Sequence, residues 1–127
     1  MSVKALTLIE LIVVVIIITV IATLGLVNYS GVKEEALDKE ARANLKLIQT
    51  AEKLYHIEYT VYYPSTGFTN NFALINENLK LSLPSENPKW TYQVDFNGNA
   101  EAQRSVSGGR QWNLLIDAVE PTCTGCP

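Results

Sequence analysis

The sequence predicts an α+β protein. A long N-terminal helix, apolar enough in its first half to cross a bilayer and amphipathic in its second, packs on a small three-stranded antiparallel sheet. Three observations carry this reading. From Ala5 to Val27 the only charged residue is Glu10. Beyond Gly31, apolar residues recur at three- and four-residue steps, and beyond Trp90 they alternate at period two. With 127 residues, 47% of them hydrophobic, the chain suffices for one domain of ordinary size. A net charge of -3 excludes a protein that grips nucleic acid or anionic lipid by bulk electrostatics, so no nucleic-acid partner is expected.

The apolar run is too long for the core of a signal peptide. Roughly 23 residues at about 1.5 Å each make about 34 Å of helix, against a hydrocarbon core of about 30 Å. Val13 to Ile18 are all β-branched and poor helix formers in water. Lipid nevertheless leaves an isolated segment no other way to satisfy its backbone. Lys4 and Lys33 flank the run, and most of the chain follows Lys33, which places the N-terminus in the cytoplasm and the head outside it. Glu10 is costly in such a segment and wants a partner. Lys4, six residues upstream, is off its helix face. Glu10 reads either as a hydrated carboxylate at headgroup level or as half of a charge pair with another copy of the chain.

The run Ala5-Leu6-Thr7-Leu8-Ile9-Glu10-Leu11-Ile12-Val13-Val14-Val15 closely resembles the N-terminal signature of type IV pilins and type II secretion pseudopilins. The resemblance implies that a prepilin peptidase cuts between Ala5 and Leu6, that the new Leu6 amine is methylated, and that Glu10, then fifth, lies near the Leu6 amine of a neighbouring subunit. The family commonly has Gly before the cut, where this chain has Ala5, and Gly and Pro where it has Thr19 and Val27. Residues 1–5 would be the leader, 6–30 the membrane and filament-core helix, and 31–127 the globular head. The implied function is a structural subunit of a pilus-like filament. The alternative is the major pseudopilin of a type II secretion system. Partners would be further copies, the inner membrane before assembly, the peptidase and the assembly machinery. The mature location would be an extracellular pilus or a periplasmic pseudopilus.

In the amphipathic half, Leu37, Ala41, Leu45, Ile48, Ala51, Leu54 and Tyr55 form the expected buried stripe, and Glu35 with Lys39 and Asp38 with Arg42 fall at i, i+4 spacing. From Leu6 to about Tyr59 one continuous helix would be on the order of 80 Å long. Tyr55, Tyr59, Tyr62 and Tyr63 beside the lone His56 read as packing residues where a helix meets a sheet. Pro64-Ser65-Thr66-Gly67 is expected to end the helix. Asn70-Asn71 can cap a short helix from Phe72 to Leu79. Trp90–Phe96, a turn at Asn97-Gly98-Asn99, a return strand Ala100–Val106, a turn at Ser107-Gly108-Gly109, and a third strand through Trp112, Leu114 and Ile116 complete a meander, an arrangement that looks like the pilin head.

Cys123 and Cys126 are the only cysteines. They make half of a four-thiolate site or a redox-type pair, but two further metal ligands are lacking. With the tail outside the cytoplasm, oxidation to a small disulfide loop is expected. Family members often close a C-terminal loop this way, usually a larger one. Type II secretion pseudopilins often hold calcium among head acids, yet Asp95, Glu101, Asp117 and Glu120 form no dense ligand loop. Gly108-Gly109 precedes a strand and lacks the Lys of a phosphate loop. No nucleophile, base and orienting group can be assembled, so neither catalysis, metal nor cofactor is expected.

Overall fold

The computed structural model describes residues 5–26, 29–86, 88–105 and 109–126. The chain divides into two compact units, Met1–Glu35 and Ala36–Pro127. Its elements in order are α1 (Leu8–Leu26), α2 (Tyr29–Tyr59), β1 (Phe68–Thr69), α3 (Phe72–Leu79), β2 (Trp90–Asp95), β3 (Ala100–Arg104), β4 (Gln111–Leu114) and β5 (Thr122–Thr124). The strands pair antiparallel in sequence order.

This α+β fold corrects the expected one in three respects. The single helix from Leu6 to Tyr59 is instead two, α1 ending at Leu26 and α2 beginning at Tyr29, with Val27 and Asn28 outside the described residues. The sequence there combines Gly25, Val27 and Asn28, all weak helix formers. The apolar helix is also shorter than its apolar run, because the Thr7 hydroxyl accepts the Glu10 N–H at 3.3 Å and helix begins only at Leu8. Its 19 residues reach about 28 Å, below the hydrocarbon thickness. The longer α2 is amphipathic. No helix among the described residues is long and apolar enough to cross a membrane, which overturns the expected single-pass placement in the inner membrane with the head outside. Finally, the sheet has five strands rather than three.

The two added strands lie at the edges and are two and three residues long. Segments that short carry no alternation to read. The expected third strand stops at Leu114 because the Gln49 amide of α2 donates to the carbonyls of Leu115, Ile116 and Ala118 at 2.9, 3.2 and 2.7 Å, drawing them out of the ladder. β3 ends at Arg104, and Val106, Ser107 and Gly108 lie outside the described residues.

The core of the second unit forms where one stripe of α2, Leu37, Ala41, Leu45, Ile48 and Ala51, meets the inner sheet face. That face carries Trp90, Tyr92 and Val94 on β2, Ala100 and Ala102 on β3, and Leu114 on β4. In register, Tyr92 stands opposite Ala102 and Val94 opposite Ala100. The alanines of the middle strand leave room for Leu and Ile from the helix, while the bulky β2 residues fill the side toward α3, which adds Ile75 and Leu79. Leu54, expected on the stripe, is 63% exposed. The stripe bends instead through Glu52, which is fully buried.

Local chemistry fixes the connections. Asn71 caps α3 by accepting the amides of Ala73 and Leu74. Asp95 accepts the amides of Asn97 and Asn99, both at 2.9 Å, and folds the β2–β3 turn. Gly98 in that turn has φ +82°, and a Cβ there would meet the Tyr62 ring at 2.8 Å. The helix α2 stops at Tyr59, ahead of the expected Pro64, because Thr60 turns to φ +63° and returns its N–H to the His56 carbonyl at 2.8 Å. A β-branched residue in the left-handed region stores about 1–3 kcal/mol of strain. These two positions predict opposite outcomes in urea denaturation: Gly98→Ala lowers stability by about 2 kcal/mol, while Thr60→Gly raises it by up to about 1 kcal/mol.

Candidate functional site

Ala5 and Leu6 precede α1 and are exposed, Leu6 at 70%. The Thr7 carbonyl and hydroxyl accept the first amides of the helix, from Leu11 and Glu10. Glu10 therefore falls in the first turn, where the partial positive charge of the helix N-terminus favours a carboxylate. It is exposed like its neighbours.

From Leu8 to Leu24, α1 exposes every side chain, and all but Glu10, Thr19 and Thr23 are apolar. Those two threonines turn their hydroxyl donors inward. The Thr19 hydroxyl donates to the carbonyls of Val15 and Ile16, and the Thr23 hydroxyl to those of Thr19 and Val20. With both hydroxyl donors turned to their own helix, the surface offers a partner apolar contact, two hydroxyl oxygens and one carboxylate. An apolar stripe shows on one side of an ordinary surface helix; here apolar residues lie all around. A contiguous apolar surface of this extent is rare on a monomer and marks contact with something else.

In the second unit, Cys123 in β5 is joined to Cys126 by a disulfide with Cα atoms 5.9 Å apart. The pair closes the chain just after β5, whose ladder to β4 sets Cys123 opposite Trp112. The tyrosine cluster at the end of α2 packs as rings: Tyr55 lies 4.4 Å from Tyr59 and 5.7 Å from Tyr63, and His56 stacks on Tyr62 at 4.4 Å. Among the expected head acids, Asp95 is occupied by its turn, and Glu120 pairs with Lys46 at 2.7 Å and Arg42 at 3.4 Å, which hold its carboxyl below its ordinary value. No group of three potential metal ligands comes together among the described residues.

The polar residues that tie α2 to the rest of the unit escaped the sequence reading. Trp90 donates its indole N–H to the Leu37 carbonyl at 2.9 Å, and Asn44 donates to the Tyr92 hydroxyl at 2.8 Å. Burial pushes that phenol up to about 12, against the opposing pull of Asn44. Glu52 accepts the Tyr63 N–H at 2.9 Å, and burial pushes its carboxyl up to about 7, the Tyr63 bond opposing and Asp95 adding to the rise. A signal for Glu52 existed in the sequence, since Ala41, Leu45, Ile48 and Glu52 follow one another at steps of four and three.

No protein-family model, no curated protein and no solved structure matches the chain. The tail carries its own test. The disulfide closes only four residues, so its removal by Cys123→Ser with Cys126→Ser costs at most about 2 kcal/mol in urea denaturation and frays β5 without unfolding the sheet.

Proposed function

We propose that the chain is the structural subunit of a bacterial type IV pilus-like filament, cut before Leu6 by a prepilin peptidase and polymerised through its N-terminal helix. The observation that supports this most is α1 itself, apolar around its whole circumference from Leu8 to Leu24 and bearing one charge. Such a surface associates by burial of area, and copies of the same helix provide that area. A repeated, non-closing contact between copies generates a helical filament. The N-terminal signature Leu6-Thr7-Leu8-Ile9-Glu10 supplies the family resemblance.

Glu10 has a defined part in this reading. Once copies pack, water leaves the neighbourhood of the carboxylate, and an unpaired charge there is penalised. The Leu6 amine of a neighbouring subunit neutralises it only at one axial offset, so the pair selects register more than it adds net stability. Methylation of that amine would retain its charge. Assembly machinery and peptidase are partners under the same reading.

Electron microscopy of sheared surface material, with mass spectrometry of the N-terminus, tests the proposal. Long filaments of chains beginning at Leu6 support it. Uncut chains without filaments overturn it, and cut chains confined to the cell envelope favour the secretion pseudopilus instead. Glu10→Ala should leave α1 helical by circular dichroism but reduce filament yield at least tenfold; normal yield removes the register role.

A further inference from the structure

Glu52 is the only charged side chain buried among the described residues. One carboxyl oxygen, Oε2, accepts the Tyr63 amide, while Oε1 has no hydrogen-bond partner among them. Among the described residues no cation pairs with it. From β2, Asp95 acts on it, and from the segment after α2, Tyr63 does; Tyr63 is in turn acted on by Tyr55 of α2 and Glu77 of α3. All of these are acidic or neutral. A carboxylate formed here gains hydration only if one wall of its site moves.

The walls differ in how firmly they are held. On its own helix, Glu52 follows a stripe anchored by Ile48, Gln49 and Leu45, and the sheet presents buried β2 side chains. The segment Thr60 to Gly67 is held by ring contacts, Tyr62 on His56 and Tyr63 on Tyr55 and the core, rather than by a strand ladder. It starts at the strained Thr60, leaves Val61 exposed and buries Tyr62, Tyr63 and Pro64 only in part. It ends in one bond from the Phe96 N–H to the Gly67 carbonyl and the two-residue β1. Segments with few buried contacts and strained backbone are the first to open.

We propose that Glu52 is a protonation-controlled latch: neutral, it keeps the segment Thr60–Gly67 closed over the core through the Tyr63 amide, and ionised, it drives that segment open to reach water. The hydrogen bond to Tyr63 favours the charged form, but burial outweighs it, so the net push on ionisation is outward. Opening carries β1 away with the segment and leaves β2 as a sheet edge, with the backbone of Val94 and Asp95 unpaired on that side. The device is independent of the filament reading and acts within the head alone.

The sign follows from linkage. The closed state binds its proton up to about pH 7 and the open state only to about 4.5, so closure is fully favoured below about 4.5 and weakens as pH rises through 7. Between pH 6 and pH 8.5 this amounts to about a tenfold loss of closure. Amide exchange on the full chain in detergent, corrected for base catalysis, reads it directly. Protection at Tyr63 should fall about tenfold over that range while Ala102 in β3 stays constant, and Glu52→Gln should hold Tyr63 protection level. On the unmutated chain alone, the Glu52 carboxyl carbon resonance should titrate near neutrality, in step with Tyr63 exchange. A Glu52 midpoint in the ordinary carboxylate range overturns the latch. So does Tyr63 protection that tracks Ala102 throughout, or a pH course unchanged in a folded Glu52→Gln chain.

Discussion

The head depends on one shared core: the apolar stripe of α2 and the inner face of the sheet bury their side chains together, with the small side chains of Ala100 and Ala102 coming from the middle strand. Larger residues there would overfill the core that Leu45 and Ile48 share with Trp90 and Tyr92. Polar groups tie α2 to the sheet and its loops as well. Trp90 reaches the Leu37 carbonyl, Asn44 the Tyr92 hydroxyl, and Gln49 three carbonyls beyond β4. Each of these satisfies a group that burial would otherwise penalise. Packing and hydrogen bonding thus hold the same helix to the same sheet.

The first unit obeys the opposite logic. Nothing in α1 directs it toward a particular neighbour except Glu10, since its threonine hydroxyls bond inward to their own helix. The head is specific in its contacts and the helix is nearly featureless. Under the proposed filament, area would supply association and the single Glu10 carboxylate its register.

Much of the head was legible because its signals are local. Asn71 as a cap, the Asp95 to Asn99 turn and the alternation of Trp90, Tyr92 and Val94 are each decided within a few residues. What the sequence hid is decided at a distance. The edge strands β1 and β5 are shorter than one period of a recognisable pattern and exist because β2 and β4 offer them partners. The late start of α1 at Leu8 depends on a helix-terminal effect that hydropathy does not weigh, and among the described residues no helix is long and apolar enough to cross a membrane. Of the candidate site, Leu6 and Glu10 rest on the motif resemblance, and the fold adds that both are exposed, Leu6 just before α1 and Glu10 in its first turn. Glu52 was not plain in the sequence, because a carboxylate on a buried stripe contradicts the rule by which stripes are read.

The brevity of β1 has a consequence for crowding. Behind its two residues lies β2, six residues of strict alternation ending in an unprotected ladder wherever β1 does not cover it. Strands of that kind recruit other strands, and the hazard rises with the local concentration of identical chains. The β1 cover denies another strand only Val94 and Asp95, and is itself too short to act as a template. Lifting β1 would add Val94 and Asp95 to the edge that β2 already presents on that side, so its loss raises the hazard wherever copies crowd together.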